Sequence, residues 1–212
     1  MKSGILLTMS EFKYKNEIYR KFIHLSSLWI PAASYHFEKP IMLYVFGGLC
    51  VLALVYEIVR QQDNALSKIL NFLFSRVLRD EEKQENFKLS GAIYVFISAF
   101  LCVLFFSKLI AVTSMLVMIV GDAAAALIGR KFGRIKFKSF GKSLEGSAAF
   151  FTASFLTVLL IPQIIQVQSG YIFASSVAIF IATFVEFISK KIHIDDNLSI
   201  PLTVGGVMMF LM

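Results

Sequence analysis

The sequence predicts an all-α integral membrane protein of about seven transmembrane helices, with a cytoplasmic N-terminus and a C-terminus on the opposite side. Of the 212 residues, 57% are hydrophobic and 22 are phenylalanine, which is far more apolar than a soluble domain. About seven apolar runs approach the ~20 residues that a helix needs to cross a bilayer. The basic residues, moreover, divide very unequally between alternate connections.

The apolar runs follow one another closely, and the first and last are shorter than the others. They cover residues 22–37, 41–59, 89–106, 109–128, 144–161, 171–189 and 198–212. Since no soluble domain or linker separates them, residues 1–212 are expected to form a single membrane domain. The longest connection contains an amphipathic segment, 65–78, which is predicted to lie in the membrane interface or to pack beneath the bundle.

The orientation follows from the positions of Lys and Arg. The segments predicted to be cytoplasmic are 1–21, 60–88, 129–143 and 190–197. They hold 19 of the 21 basic residues, and only Lys39 and Lys108 fall on the other side. This asymmetry is the one described by the positive-inside rule. Because these connections account for the net charge of +7, we expect membrane lipids and a nucleotide as anionic partners, and no nucleic acid.

Asp122 stands in the fourth apolar run, where the other side chains are apolar or small. An ionisable residue inside a membrane segment marks a functional site by default. Near the cytoplasmic end of its helix, a carboxylate is well placed to bind Mg²⁺, which prefers hard oxygen ligands and often bridges protein and phosphate. An ion pair or hydrogen bond within the membrane is the alternative. Ala125, Ala126 and Gly129 fall on one stripe with Asp122, and the alanines and glycines of segment 121–129 are expected to allow close helix packing.

Arg20, Lys21 and His24 begin the first apolar helix. Their spacing of three and four residues allows them to share one helical face. On that face they would form a cationic clamp for phosphate oxygens, two of which one arginine can bind. Alternatively, Arg20 and Lys21 anchor the topology and His24 is a buried, hydrogen-bonded side chain.

The loop 130–146 carries six basic residues and three glycines, and its segment 134–138 alternates basic and apolar residues as a short strand does. A helix is predicted to begin near Ser143, which would cap it, and the free N–H groups of its first turn favour phosphate. Gly141-Lys142-Ser143 is reminiscent of a P-loop. That motif requires glycine at position 136, which is Lys, and a preceding strand, so we exclude the P-loop nucleotide fold.

Acidic residues near the C-terminus allow two interpretations. In the simpler one, Glu186 pairs with Lys190 four residues later, and Asp196 or Asn197 caps the last helix. In the other, Glu186, Asp195 and Asp196 complete a metal site, because a nucleoside triphosphate with its Mg²⁺ needs both cations and carboxylates around it.

Four groups of motif residues therefore follow one another along almost the whole chain. They read Arg20-Lys21-x-x-His24, Gly121-Asp122-Ala123-x-Ala125-x-x-x-Gly129-Arg130-x-x-Gly133, Gly141-Lys142-Ser143-x-Glu145-Gly146, and Glu186 with Asp195-Asp196-Asn197-x-x-x-Pro201. This order resembles the dolichol kinase, phytol kinase and CTP-dependent diacylglycerol kinase family. The resemblance implies a multi-pass membrane enzyme that transfers the terminal phosphate of CTP, or another nucleoside triphosphate, to phytol, a polyprenol or diacylglycerol. It implies the cytoplasmic membrane of a bacterium, or the endoplasmic reticulum or plastid membrane of a eukaryote.

The resemblance also implies roles for the motif residues. Nucleotide binding falls to Arg20, Lys21, His24, Gly121, Gly129, Arg130, Lys131, Gly133, Gly141, Lys142, Ser143 and Gly146. Mg²⁺ binding falls to Asp122, with help from Asp195 or Asp196. Lys142 neutralises phosphate oxygens, and either Glu145 or Glu186 orients or deprotonates the lipid hydroxyl. The sequence does not choose between these two glutamates.

Two other functions remain open at this point. The segment 121–133 is also similar to part of the phosphatidate cytidylyltransferases, which use CTP as well. Those enzymes carry His-Gly-Gly and Asp-Arg pairs near the C-terminus, whereas residues 195–201 read Asp-Asp-Asn-Leu-Ser-Ile-Pro. This difference favours the kinase. A non-enzymatic membrane carrier or scaffold is the third possibility.

Overall fold

The computed structural model describes residues 14, 16–62, 67–69, 89–137, 139–189, 191–192 and 194–212, and this part of the chain forms an all-α membrane protein, as predicted. Its helices are α1 (16–26), α2 (Trp29–His36), α3 (Lys39–Arg60), α4 (Gly91–Phe105), α5 (Lys108–Phe132), α6 (Leu144–Leu160), α7 (Tyr171–Ile188) and α8 (Asp196–Leu211). A hairpin of β1 (Lys136–Phe137) and β2 (Lys142–Ser143) precedes α6, and a 3₁₀ turn, Ile161–Gln163, follows it.

Within the described ranges, four helices are long and apolar enough to cross a membrane: α3, α5, α6 with its 3₁₀ turn, and α7. The apolar helices α4 and α8 have 15 and 16 residues. At 1.5 Å per residue they measure about 22–24 Å, less than the ~30 Å of a typical hydrocarbon core. About seven crossings and a cytoplasmic N-terminus stay predictions, and most of the amphipathic segment 65–78 lies outside the described residues.

The first predicted span, 22–37, is two helices rather than one. Pro31 has no N–H to donate to the carbonyl of Ser27, which accepts instead from the N–H of Ile30 at 2.9 Å. This tighter turn ends α1 and starts α2. The prediction of a single helix was wrong here because an apolar run does not reveal where a proline interrupts the hydrogen bonds.

Helix α5 lies at the centre of the bundle. In the 18-residue apolar stretch of α5, 72% of the residues are buried inside the protein. The corresponding shares are 17% for α3 and 39% for α7. It packs against α2, α4, α6 and α8. Protein therefore surrounds most of α5, so polar side chains on this helix can find protein partners. Thr113, for example, shares a hydrogen bond of 3.1 Å with the hydroxyl of Tyr171.

Among the described residues, the most extensive contact between two helices is that of α5 with α6. A Cβ on Gly146 would lie 3.1 Å from the carbonyl oxygen of Ala125 and 3.3 Å from Cα of Gly129. A Cβ on Gly121 would lie 2.7 Å from the ring of Phe150. The small residues of α5 are therefore needed for close helix packing, which confirms their predicted structural role.

Gly121→Ala is expected to lower the free energy of unfolding by about 1–3 kcal/mol, because the added methyl group must displace the Phe150 ring from a packed core. Gly48→Ala on α3 is the matched control, since a Cβ there would meet no described atom within 4 Å. Thermal unfolding of both variants in detergent measures the difference. Equal melting temperatures would contradict the close packing of α5 on α6.

Candidate active site

Charged side chains from α1, α5, β2, α7 and α8 meet at one end of the bundle, where α5 and α7 end and α6 and α8 begin. We call this set the ionic cluster. It consists of Lys21, His24, Asp122, Lys142, Glu186 and Asp196. All six side chains are buried or half-buried, so their charges must compensate one another rather than rely on water.

Asp122 is paired with a lysine from another helix. The ammonium of Lys21 donates to Asp122 Oδ2, and Nε2 of His24 lies 3.6 Å from the same oxygen. Both partners of the lysine pair have side chains only 6% exposed. Lys21 and His24 thus share one face of α1, as their spacing predicts. The ion pair inside the membrane segment, which the sequence left open beside a metal-binding role, is present.

Lys142 lies between two carboxylates. Its ammonium donates to Glu186 Oε1 and lies 3.3 Å from Asp196 Oδ2. Burial by itself lowers the pKa of Lys142, but the neighbouring carboxylates of Asp196, Glu186 and Asp122 raise it above its ordinary value. The lysine is therefore a permanent cation at neutral pH. Lys190, the other partner expected for Glu186, lies outside the described residues.

The hairpin holds Lys142 in this position. Phe137 faces Lys142 across the two antiparallel strands, which confirms that part of segment 134–138 is extended. The chain turns at Gly141, whose φ of 61° suits glycine. The N–H groups of Phe140 and Gly141 both donate to the carbonyl of Phe137, at 3.0 and 2.9 Å. A tight turn thus points the following lysine at the carboxylates.

Glu145 and Glu186 have different surroundings. Oε1 of Glu145 accepts from the backbone N–H of Arg134 at 2.9 Å and of Ile135 at 3.1 Å. Glu145 therefore fastens the basic loop to the start of α6, where Ser143 caps the helix as predicted, accepting from the N–H of Gly146 at 3.2 Å. Glu186 instead belongs to the ionic cluster.

Asp195, rather than Asp196 or Asn197, caps the last helix. Its Oδ1 accepts from the backbone N–H of Asn197 at 3.0 Å and from the amide Nδ2 of the same residue at 2.8 Å. Helix α8 consequently begins at Asp196, two residues before the predicted 198. The predicted cap was wrong by one or two positions, because the capping side chain must precede the first helical residue. Asp196 is left to face Lys142.

The predicted Mg²⁺ ligands do not form a preformed metal site. Asp122 and Asp196 face lysines, and Asp195 accepts from Asn197. Across the ranges that the structure describes, no three His, Cys, Asp or Glu side chains are close enough together to hold a metal ion. Ammonium groups stand where a bound cation would need free carboxylate oxygens. The residues present therefore do not fit a metal held by the protein alone.

Glu17 is a site residue that the sequence analysis missed. It is only 4% exposed, and its Oε2 accepts from Arg20 Nη1 at 2.7 Å and pairs with Arg130 Nη2 at 2.9 Å. Its spacing of three residues from Arg20 was the available signal. Glu17 holds guanidinium groups from α1 and α5 side by side, and the arginine side chains keep 19% and 47% of their surface exposed. Both arginines thus remain accessible to an anion from solution.

The glycines and Lys131 of the predicted nucleotide-binding set lie outside the ionic cluster, and the glycines serve the packing around it. Gly121, Gly129 and Gly146 lie in the contact between α5 and α6, and a Cβ on Gly133 would lie 2.7 Å from Ser143 Oγ. Lys131 is exposed, with its ammonium 5.2 Å from the centre of the Phe132 ring. Close packing explains why these positions are glycines, and this packing positions the basic loop. A contact between their backbone N–H groups and a phosphate is not needed to explain the glycines.

Comparison with known proteins identifies the family. An uncharacterised protein of Methanocaldococcus jannaschii is 34% identical over 200 residues, which cover 90% of this chain and 92% of that protein. CTP-dependent diacylglycerol kinase 1 of Schizosaccharomyces pombe is 28% identical over 97% of this chain and 98% of its own. A protein of Triticum aestivum named as a probable chloroplastic phytol kinase is 31% identical over 86% of this chain and 63% of its own.

This chain belongs to the dolichol kinase, phytol kinase and CTP-dependent diacylglycerol kinase family. The family is thus the one that the motifs predicted. No family model matches the chain, and no solved structure matches it.

Lys21→Met is expected to destabilise the protein by about 3–5 kcal/mol, because it leaves the buried Asp122 carboxylate without its cation. Adding Asp122→Asn should recover much of that loss, since the uncompensated charge disappears. Thermal unfolding of the wild type, both single variants and the double variant completes a double-mutant cycle. Strict additivity of the two effects would show that the pair does not interact.

Proposed function

We propose that this protein is a lipid-alcohol kinase that transfers the terminal phosphate of CTP, or of another nucleoside triphosphate, to an isoprenoid alcohol or diacylglycerol. The ionic cluster carries the proposal, in a chain whose relatives include proteins named CTP-dependent diacylglycerol kinase and phytol kinase. Phosphoryl transfer depends on positioning and on neutralising the charge of the phosphates, and needs no protein nucleophile. Buried lysines held by carboxylates from several helices offer both.

The nucleotide enters at Arg20 and Arg130, the two partly exposed arginines of the site. Arg20 and Arg130, held together by Glu17, meet the phosphates first, since a guanidinium can bind two phosphate oxygens at once. Lys21 and Lys142 then exchange part of their interaction with Asp122 and Glu186 for contacts with phosphate oxygens. The carboxylates keep both ammonium groups in place before the nucleotide arrives, so little reorganisation is required.

Glu186 is the proposed general base. The oxygen of the lipid hydroxyl attacks the terminal phosphorus, the bond from this phosphorus to the bridging oxygen breaks, and the nucleoside diphosphate leaves. The hydroxyl proton passes to Glu186, whose Oε2 also accepts from Ser147 Oγ at 3.3 Å. We favour Glu186 over Glu145 because Glu186 lies beside Lys142 in the ionic cluster, whereas the Glu145 carboxylate is held by backbone N–H groups of the loop.

Magnesium would enter this proposal only as the counter-ion that a nucleoside triphosphate carries. No step depends on a metal held by Asp122, Asp195 and Asp196, because their contacts do not fit such a site. When bound with the nucleotide, the ion neutralises charge on the phosphates.

We place the site at the cytoplasmic face of a protein with about seven membrane helices. The distribution of 19 basic residues on one side supports this orientation. The two remaining lysines lie at the other end of the bundle, where Lys39 donates to the carbonyl of Phe106 at 3.3 Å and Lys108 to that of Tyr35 at 3.0 Å. The membrane is the cytoplasmic one in a bacterium, and that of the endoplasmic reticulum or a plastid in a eukaryote.

Labelled nucleotide tests the reaction. Purified protein incubated with a lipid alcohol and CTP should incorporate label from the γ-phosphate and none from the α-phosphate. Label from the α-phosphate with release of pyrophosphate would instead support the cytidylyltransferase, which the similarity of segment 121–133 keeps as the second candidate. Incorporation of neither label with isoprenoid alcohols, diacylglycerol or phosphatidate would leave the carrier or scaffold.

Lys142→Met is expected to lower kcat about 10²–10³-fold, the usual effect of removing a group that stabilises charge in the transition state. Lys136→Met in the facing strand is the matched control, since that lysine is exposed and lies outside the ionic cluster. Initial rates with saturating CTP compare the two. The role of Lys142 is refuted if both variants keep the wild-type rate at equal protein levels.

Glu17→Gln is expected to raise KM for CTP about tenfold with little change in kcat, because Glu17 acts through the position of Arg20 and Arg130. Glu17→Asp, which keeps the charge, should recover part of the affinity. Glu38→Gln, at the start of α3, serves as the control for loss of a carboxylate elsewhere. A loss of kcat at unchanged KM would argue against a positioning role.

A further inference from the structure

A second polar site lies at the C-terminal end of α3, outside the ionic cluster. A cavity of about 270 Å³ is lined there by Leu54, Glu57, Ile58, Gln61, Gln62 and Leu89. Its volume suits the head of a lipid rather than a whole lipid molecule. The cavity shares no lining residue with the ionic cluster, so the proposed phosphate contacts do not account for it.

The back of the cavity carries a buried carboxylate. Glu57 is 2% exposed, and its Oε1 accepts from Arg60 Nη2 and, at 3.2 Å, from Gln61 Nε2. Its Oε2 has no hydrogen-bond partner within the described part of the chain. An unsatisfied buried oxygen of a carboxylate is costly. That oxygen selects a donor such as a hydroxyl, and it repels a phosphate.

The wall of the cavity faces the bilayer. Leu54 and Ile58 are 41% and 61% exposed. In the 18-residue apolar stretch of α3, only 17% of the residues are buried within the protein. An exposed apolar surface on a membrane helix is a surface for lipid tails. The cavity therefore joins a hydrogen-bond acceptor inside to hydrocarbon outside.

The cavity also lies at the same end of the bundle as the ionic cluster. Helices α4 and α5 are joined only by Phe106 and Ser107 and run in opposite directions, so the start of α4 and the end of α5 share one end. Leu89 lies two residues before the start of α4 and lines the cavity. A lipid head bound there is consequently at the end of the bundle where the proposed phosphoryl transfer takes place.

We propose that this cavity binds the hydroxyl end of a lipid alcohol, whose O–H donates to Glu57 Oε2 while its chain lies along Leu54 and Ile58 in the bilayer. The glutamines at the mouth, Gln61 and Gln62, close the polar side of the site. That the bound alcohol then moves to Glu186 of the ionic cluster as the phosphate acceptor rests on the proposed lipid-kinase function. Binding of the alcohol itself does not.

Photolabelling tests the binding site directly. The full chain in lipid nanodiscs is illuminated with an isoprenoid alcohol that carries a diazirine near the hydroxyl, and labelled peptides are identified by mass spectrometry. The label is expected on the segment 54–62 and at Leu89. The methyl ether of the same probe cannot donate a hydrogen bond, so its labelling should be about tenfold weaker or less. Equal labelling by alcohol and ether would overturn the proposal.

Substitutions on α3 provide the matched test. Ile58→Trp should fill the mouth of the cavity and abolish specific labelling, whereas Leu52→Trp should not. Leu52 is 65% exposed on the same helix and does not line the cavity, which makes it a control for a large lipid-facing side chain. Glu57→Gln should weaken labelling as the ether does. If Glu57→Gln fails to fold, the two tryptophan variants still decide the outcome, and equal labelling of both overturns the site.

The labelling needs neither nucleotide nor turnover, so the two proposals fail separately. A protein that is labelled in the cavity but transfers no phosphate would refute the proposed function and keep the alcohol site. A protein that phosphorylates the alcohol but is labelled elsewhere would keep the function and refute this site.

Discussion

The buried charge of Asp122 is the constraint on which the site depends. A carboxylate inside the central helix is tolerable only with a cation beside it, since leaving such a group unpaired costs about 3–5 kcal/mol. Lys21 supplies that cation from α1, 101 residues away in the chain. The pair fixes where α1 packs, and with it the position of Glu17 and Arg20. One ion pair therefore connects the packing of the bundle to the entrance of the proposed nucleotide site.

Lys142 is likewise paired with carboxylates, but a hairpin rather than a helix holds it in place. Lys142 reaches Glu186 and Asp196 only because a tight hairpin precedes α6 and because α5 and α6 approach at glycines. Each lysine of the cluster is thus balanced by carboxylates while no nucleotide is present. A phosphate that enters must compete with them, so the same contacts that stabilise the fold define the strength of the proposed binding site.

Two chemically opposite sites then lie at one end of the bundle. Lys21 and Lys142 of the ionic cluster, with Arg20 and Arg130 beside them, offer cations to a phosphate, and the cavity at α3 presents a carboxylate oxygen that accepts from a hydroxyl. One faces basic loops and the other faces lipid. This separation matches the two substrates of the proposed reaction, one soluble and anionic and the other a neutral membrane lipid.

Composition and local spacing determined the membrane class, the cap at Ser143 and the extended segment before it, because each can be read without knowing which helices touch. The family came instead from the resemblance carried by the order of the motifs along the chain. The same local signals did not decide among partners distant in sequence. Tertiary packing alone paired Lys21 with Asp122 and Lys142 with Glu186, gave Glu145 to the loop backbone, and joined Glu17 to Arg130. Such pairs depend on which helices touch, and a buried charge takes whichever opposite charge the packing brings within reach.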